Sequence, residues 1–460
     1  MRSLIHLFIL SGIMLCIRVS AQEDSTRNEE RLSVNGFVRA GAYGDLHNNS
    51  PLPFISSAWT DIDLRLDARL SDGLRAYSDL RFRYGSEFHD AVNSLTVREA
   101  WTEYTAGKFT LSAGQKIIKW GRADFTNPTS KLNPQNYVSR SPEREDMDMG
   151  NLIAEAAWTP SSWFSLQVAG VPFYRSSVLL VDPIPLPENV TITQMNTIVT
   201  DQKLWSYGIK GDFHLRGIDI GASWFQGYDP MTGIRLTNFN ADFSGPVPVI
   251  SSGMSMVPYR TRVAGLDFET SAGIVGIRGE TALSAPVASW KNFEYVPLRE
   301  IKWVFGADIS LGNWRITGEY TGKTMPGFEA SPVDPIIGTE PDYVKLAELL
   351  ATPGFDLHEY VRQQVGAFNR LYNYQLERYY HSAGLRIEGD LAYSRLTPSV
   401  FTMYNFTTKE LLVIPEIKLK PKDGLTIVLG AEIYNGPSGS LYDIVKNYMT
   451  GIYAGIKIDF

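Results

Sequence analysis

A single cysteine, Cys16, is the whole thiol content of the 460-residue chain. It lies in an apolar leader, so no disulfide framework or thiolate metal site is available downstream. Histidine is also scarce, six residues in all, and His6 belongs to the same leader. The others are His47, His89, His214, His358 and His381. They show no metal-ligand spacing, and no Gly-x-Ser-x-Gly elbow accompanies them. Ser382 follows His381, but neighbours on a strand point to opposite faces. A Gly-rich phosphate loop with its lysine is missing, so no ATP-driven step is expected. Basic residues are not in excess: 43 Lys and Arg stand against 50 Asp and Glu, a net charge of −7. That removes the usual footprint of nucleic-acid binding. Beyond the leader no apolar run reaches the ~20 residues of a membrane helix. These absences argue against catalysis, and neither cofactor nor metal is expected.

The leader itself is informative. Met1-Arg2-Ser3 precede the apolar stretch Leu4 to Cys16, and Val19-Ser20-Ala21 supply small residues before Gln22. This is the order of a secretory signal peptide, residues 1–21. Leu15, where a small residue is wanted, disfavours lipoprotein processing at Cys16. Residues 22–31 are charged and polar and read as a short periplasmic lead.

What the remainder has is alternation. From Asp61, each even position is apolar (Ile62, Leu64, Leu66, Ala68, Leu70) and each odd one charged (Asp61, Asp63, Arg65, Asp67, Arg69). After Ser71-Asp72-Gly73 the pattern resumes, with Leu74, Ala76, Leu80, Phe82 and Tyr84 opposing Arg75, Tyr77, Asp79, Arg81 and Arg83. Period two means strands, and Ser-Asp-Gly is hairpin chemistry. A soluble sandwich and a transmembrane barrel both suit one such hairpin; the rest of the chain separates them.

Strands of about ten residues, the length of a tilted membrane strand, are predicted at 32–43, 57–70, 74–85, 95–105, 109–118, 150–158, 163–173, 203–213, 218–228, 262–269, 273–282, 299–310, 313–321, 376–389, 392–403, 409–420, 425–435 and 449–460. Tight turns such as Ala106-Gly107, Leu311-Gly312 and Lys422-Asp423-Gly424 alternate with the long segments 119–149, 174–202, 229–261, 283–298 and 322–375. Sorting of connections by parity is a barrel property, with short periplasmic turns and long extracellular loops. The last strand alternates to its end at Phe460, which resembles the C-terminal signal that the barrel-assembly machinery of bacterial outer membranes reads. Trp101, Tyr104, Trp158, Trp205, Trp224, Trp303 and Tyr434 fall near strand ends, where aromatic girdles sit. The expected fold is an all-β transmembrane antiparallel up-and-down β-barrel of about eighteen strands over 32–460, with sixteen as the alternative. Its site is the outer membrane of a Gram-negative-type bacterium, and its first partner is lipid.

The inward faces carry both charge signs, and most of these charges are expected to pair across strands. The lining is assigned to Arg65, Arg69, Arg75, Asp79, Arg81, Arg83, Glu99, Glu103 and Lys116. The arginines of the opening hairpin are the best candidates for a selective wall.

Gly114-Gln115-Lys116 leads to Trp120-Gly121-Arg122, and Asn133-Pro134 follows. This resembles a family of porin-like bacterial outer-membrane proteins of unknown function, which carry a Gly-x-Gln, Trp-Gly, Asn-Pro signature. The likeness covers about Leu95 to Tyr174. It departs after Trp-Gly, where the family has an acidic residue and this chain has Arg122, with Asp124 later. The resemblance implies that the segment after Trp-Gly folds against the barrel. Trp120, Gly121, Arg122, Arg144 and Glu145 are then candidates for a loop constriction. A solvated loop explains the charged run from Arg140 to Asp148 as well.

Segments 174–202 (Val178, Leu179, Leu180, Val181, Ile184, Leu186, Val190, Ile192, Ile198) and 229–261 (Met231, Ile234, Val247, Val249, Ile250, Met254, Met256, Val257) are too apolar for loops bathed in water. They either pack together or capture apolar or amphipathic solutes. Near 340–372, Thr339-x-x-Asp342 and Asp356-x-x-Glu359 read as capping boxes. Leu357, Val361, Val365, Phe368 and Tyr372 then share a helical face, as in a lid or a helix packed on the rim. The expected function is passive passage of small solutes. A surface adhesin or assembly partner with a plugged barrel is the alternative, and an outer-membrane hydrolase is less favoured. Association of copies is left open.

Overall fold

The computed structural model describes residues 31–46, 54–179, 189–193, 199, 205–245, 249–336 and 343–460. The leader, the periplasmic lead before Arg31, His47, Thr339 and Asp342 lie outside these residues. So do Leu180, Val181, Ile184, Leu186, Ile198 and Val247 of the apolar segments.

Among the described residues the strands run β1 Leu32–Asp45, β2 Ile55–Ser71, β3 Leu74–Glu87, β4 Asp90–Ala106, β5 Phe109–Lys116, β6 Asn151–Ser161, β7 Phe164–Val171, β8 Val190–Thr193, β9 Ser206–Leu215, β10 Ile218–Tyr228, β11 Gly233–Asp242, β12 Val249–Val257, β13 Arg260–Ala272, β14 Val275–Pro286, β15 Glu300–Leu311, β16 Trp314–Thr324, β17 Tyr379–Gly389, β18 Leu396–Asn405, β19 Glu410–Lys422, β20 Leu425–Asn435 and β21 Gly451–Asp459. Helices follow at α1 Tyr343–Leu350, α2 Leu357–Tyr372 and α3 Leu441–Met449. Eighteen strands, all but β8, β11 and β12, form one antiparallel sheet. It closes on itself where β1 meets β21, with Val38 opposite Ile458 and Tyr43 opposite Tyr453. Closure leaves no strand edge unpaired, which is what a lipid environment demands of a sheet.

The barrel is inside out, and that separates a membrane barrel from a soluble sandwich. On β2, Asp61 and Asp63 are 0 % exposed while Ile62 between them is 45 % exposed. On β3, Arg81 and Arg83 are buried and Phe82 and Tyr84 exposed. Water would reverse this ordering; hydrocarbon outside and charge pairing inside explain it. Tyr104, Trp158, Trp205 and Trp224 lie on the outer surface as exposed aromatics. Trp101 and Tyr434 do not belong to that girdle. Trp101 turns inward, stacked on Tyr77 at 5.3 Å beneath Arg75 and Lys116. Tyr434 also faces inward, edge-on to Tyr442 of α3 at 5.2 Å.

The connections sort by end, with two exceptions. Between β18 and β19 the turn 406–409 is short, and between β3 and β4 there is a two-residue turn at Phe88 and His89, whose φ values of 47° and 71° are both left-handed. That is the backbone sense a tight hairpin requires. At the opposite end seven turns between barrel strands hold two residues each, beginning with 72–73, 107–108 and 162–163.

The apolar loops fold into a cap. Strands β11 and β12 pair, β8 adds in parallel to β12, and the three make a separate sheet. Against it packs α2, whose Asp356 caps the helix by accepting from Glu359 N at 3.1 Å. Leu179, Ile234, Met254, Met256, Val365, Phe368, Leu371 and Ile444 form one buried cluster. Asn369 of α2 ties the layers: its Oδ1 accepts from Ile234 N at 2.8 Å and its Nδ2 donates to Ile234 O at 2.7 Å. Helix α3, capped by Ser440, closes the cap from the last long connection.

Candidate solute passage

The segment 117–150 crosses the lumen rather than leaving it. Its start is fixed by wall residues assigned to the lining. Glu99 accepts from Ile117 N at 2.9 Å, and Lys116 pairs with Glu155 at 2.5 Å. Asn133 then takes over as a local brace. Its Oδ1 accepts from Ile118 N at 2.8 Å, and its Nδ2 donates to the carbonyls of Lys116 and Met149. Both feet of the loop therefore rest on one amide side chain.

Trp120 is 2 % exposed, packed with Ile118, Leu132, Ile153, Phe225 and Val263, and its Nε1 donates to Gln167 at 2.6 Å. It lies over Gly208 of β9, where a Cβ would strike the indole. Gly121 turns the chain with φ +91°, its Cα against the Glu280 carboxylate. A side chain here would meet both left-handed backbone and that carboxylate.

Beyond Gly121, two wall carboxylates receive the loop's backbone. Glu280 Oε2 accepts from Arg122 N at 3.2 Å, and its Oε1 accepts from Thr129 N at 2.8 Å and Thr129 Oγ1 at 2.7 Å. Glu319 accepts from Asp124 N at 3.0 Å and Phe125 N at 2.9 Å. Such charge-assisted bonds are among the stronger ones. The Phe125 ring meets Phe401 of β18 at 4.9 Å. Arg122 reaches Asp267 at 2.7 Å and Asp212 at 3.1 Å, with Glu269 and Asp219 within 4 Å.

The loop then doubles back. Arg144 donates to the carbonyls of Asp124 and Phe125, linking the outgoing and returning limbs. Glu145 offers its carbonyl to Arg98 at 2.9 Å. Asp146 bridges Arg39 of β1 at 2.7 Å and Arg81 of β3 at 2.6 Å. Burial alone would raise the Asp146 carboxyl, but the two guanidiniums override it and hold the group well below the usual carboxylate range. Arg140 reaches Glu432 of β20 at 2.9 Å and lies over the rings of Tyr43 and Phe88.

The arginine wall is partly neutralised. Arg81 pairs with Asp63 and Asp146, and Arg83 with Asp61 and Glu87. Arg65, Arg69 and Arg75 remain accessible below the loop. Arg65 pairs with Asp63 at 2.9 Å and Arg75 with Asp67 at 2.7 Å, while Arg69 is exposed opposite Arg75. Asp79 is buried with Arg98 at 3.4 Å, and Glu103 lies opposite Arg75 and 3.9 Å from Lys116. Glu280, Glu319, Arg278 and Lys302 also fall on the inner face, where strand alternation marks them only as wall charges. Their alternation gave no sign that two of them hold a loop.

Around the loop the lumen keeps water-accessible space. A cavity of about 480 Å³ lies between Lys119, Asp124, Thr126, Lys131, Arg144 and the wall at Glu300 and Lys302. A second, of about 200 Å³, lies on the β3–β4 side and shares Asp148 with the first. Lys131 is paired with Asp229 at 2.8 Å. Lys302 has no ion-pair partner among the described residues.

No protein-family model matches the chain, and no curated protein matches it by sequence. The resemblance around Trp120 therefore stands on its motif residues alone. Among solved structures the chain is similar to Pseudomonas aeruginosa OccK3 (OpdO), with 12 % identity, a TM-score of 0.52 and coverage of 94 % of this chain and 96 % of that one. Pseudomonas aeruginosa OccK5 (OpdH) has 12 % identity and a TM-score of 0.51, covering 94 % and 98 %. Acinetobacter baumannii OccAB2 has 11 % identity and a TM-score of 0.51, covering 93 % and 97 %. At these identities the likeness is one of fold. Closed antiparallel barrels of this kind, with an apolar outer band, are outer-membrane proteins, and this chain is one of them.

Proposed function

We propose that this protein is a passive channel for small polar solutes, with segment 117–150 as its constriction. One observation carries the reading: the loop is bound to the wall through side chains and amides, yet a polar cavity of about 480 Å³ remains beside it. Trp120 and Gly121 root the loop. Arg122 and Arg144 hold its course, and Glu145 borders the cavity. Arg65, Arg69 and Arg75 line the lumen beneath. Arg81, Arg83, Asp79, Glu99 and Lys116 serve mainly to fix the wall and the loop. Among the described residues, most of the apolar side chains named in these loops, including Leu179, Ile234, Met254 and Met256, lie in or against the cap's own core. That favours polar solutes over the apolar or amphipathic ones suggested by loop composition.

The plugged-barrel reading, an adhesin or assembly partner, draws on the same bonds, since they reach from β1 and β3 to β14 and β16 on the far wall. Purified protein in planar bilayers distinguishes the two. Discrete current steps, together with liposome swelling that slows as solute size grows, support the channel. A silent bilayer and unswollen liposomes overturn it.

A further inference from the structure

We propose that a side chamber walled by Tyr374, Tyr380 and Tyr442 is a binding station for a neutral polyhydroxylated ring, the size of one hexose. The proposal rests on the channel reading and names a solute class for it. The chamber, about 160 Å³, lies between Thr126 of the constriction loop, inward residues of β15 to β18, and Tyr374 and Tyr442 of the cap. At roughly 10–15 Å³ per water position it holds about eleven to sixteen waters, a range that takes in the heavy-atom count of a hexose. Thr126 and Lys302 line both this chamber and the larger cavity, so the two adjoin.

The walls supply ring faces and hydrogen-bonding groups. Tyr374 and Tyr380 meet edge-on at 5.9 Å. The Tyr380 hydroxyl is fixed by accepting from Leu376 N at 2.9 Å and Glu377 N at 3.0 Å. Glu410 accepts from Tyr442 N at 2.8 Å, and the Tyr442 ring is braced by Tyr434. Burial, with Glu410 adding to it, pushes the Tyr442 hydroxyl up to about 12, so this ring stays neutral. Anchored aromatic faces suit the C–H faces of a sugar ring. Between them Thr126 Oγ1, Thr321 Oγ1, Ser382 Oγ, Asn405 Nδ2 and Lys302 Nζ line the chamber and make no hydrogen bond among the described residues. Asn405 turns its amide nitrogen free because its Oδ1 already accepts from Thr407 N and Thr408 N.

Charge in the chamber is balanced. Lys323 pairs with Glu300 at 2.8 Å, and the Lys302 ammonium and the Glu410 carboxylate stand in the same wall. An anion gains one ammonium but faces that carboxylate. A neutral polyol meets donors and acceptors with no uncompensated charge to bury.

The test is glucose added to the full chain in planar bilayers, with gluconate as the anionic comparison. Brief, concentration-dependent interruptions of current by glucose are expected. Tyr442→Ala should shorten them by about tenfold, a loss of roughly 1.4 kcal/mol, and Tyr442→Phe should keep them. Unchanged current steps in both variants show that the barrel is intact. Interruptions by gluconate alone, or glucose events indifferent to Tyr442→Ala, overturn the proposal and leave the channel standing. If the unsubstituted protein carries no current, the channel reading fails instead. Calorimetry with glucose on detergent-solubilised protein then decides the chamber: saturable binding lost in Tyr442→Ala supports it, and no binding overturns it.

Discussion

Asp146 Oδ1 lies 2.6 Å from Arg81 Nη1, joining the tip of a lumenal loop to the third strand of the wall. Its other oxygen meets Arg39 of the first strand at 2.7 Å. With both partners buried, the carboxylate fastens the returning limb of the loop across the β1–β3 wall. Arg39 keeps Asp61 at 2.6 Å and Arg81 keeps Asp63 at 2.9 Å, so losing the carboxylate costs less than the ~3–5 kcal/mol of breaking an isolated buried pair. Asp146→Ala should still release this limb. The expected outcome is a larger and noisier single-channel conductance with the barrel still folded, checked by bilayer recording beside gel migration of the heated and unheated protein.

The same carboxyl sets a pH dependence. Its folded value is depressed by Arg39 and Arg81 against the opposing effect of burial. A depressed acid stabilises the fold above its unfolded pKa, about 3.9, and that contribution is lost as pH falls through the folded value. Conductance should stay level from neutrality to about pH 4 and rise only in stronger acid. A rise already centred near pH 6 would mean that a different group holds the loop.

Arg122 sits among Asp212, Asp219, Asp267 and Glu269. Arg122→Gln keeps some hydrogen bonding but leaves these acids facing the lumen with Lys210, 3.2 Å from Asp212, as the nearby base. Selectivity should move toward cations, read as a shift of reversal potential in a potassium chloride gradient. The shift should shrink at high salt, where the Debye length is ~3 Å at 1 M.

Glycines give a paired test. Gly208 forms the floor beneath Trp120, and a Cβ there overlaps the indole. Gly208→Ala should unseat Trp120 and destabilise the loop root by about 1–3 kcal/mol, the usual scale of overpacking. Gly312 has φ +59° in a short turn with nothing within 4 Å of an added Cβ. Gly312→Ala should cost only backbone strain, about 1–2 kcal/mol, and leave conductance unchanged. Trp fluorescence should shift for the first variant and not for the second.

Asn369 joins helix α2 to β11 by exchanging two hydrogen bonds with the backbone of Ile234. Asn369→Leu leaves a buried amide and carbonyl unpaired, at about 1–3 kcal/mol. Faster hydrogen exchange over 233–257, with barrel strands unaffected, is the expected signature of a loosened cap.

Alternation along the chain and the parity of short and long connections pointed to a barrel of about eighteen strands, with sixteen as the alternative, and the closed sheet has eighteen. They act locally: side chains switch faces at every residue, and a tight turn needs particular residue types. The N-cap at Asp356 was legible for the same reason, although Glu359 turns to Arg362 and does not complete the box. Tertiary structure alone decided the path of the lumenal loop, because its anchors are remote. Arg122 finds Asp267 at a separation of 145 residues, and Asp124 finds Glu319 at 195. It also decided that Trp101 and Tyr434 turn inward, since position near a strand end does not choose a face. The apolar loop residues were visible as an anomaly, but their partners were not. Whether Met254 meets a solute or Phe368 depends on how segments far apart in the chain are brought together over one mouth, and no periodicity records that.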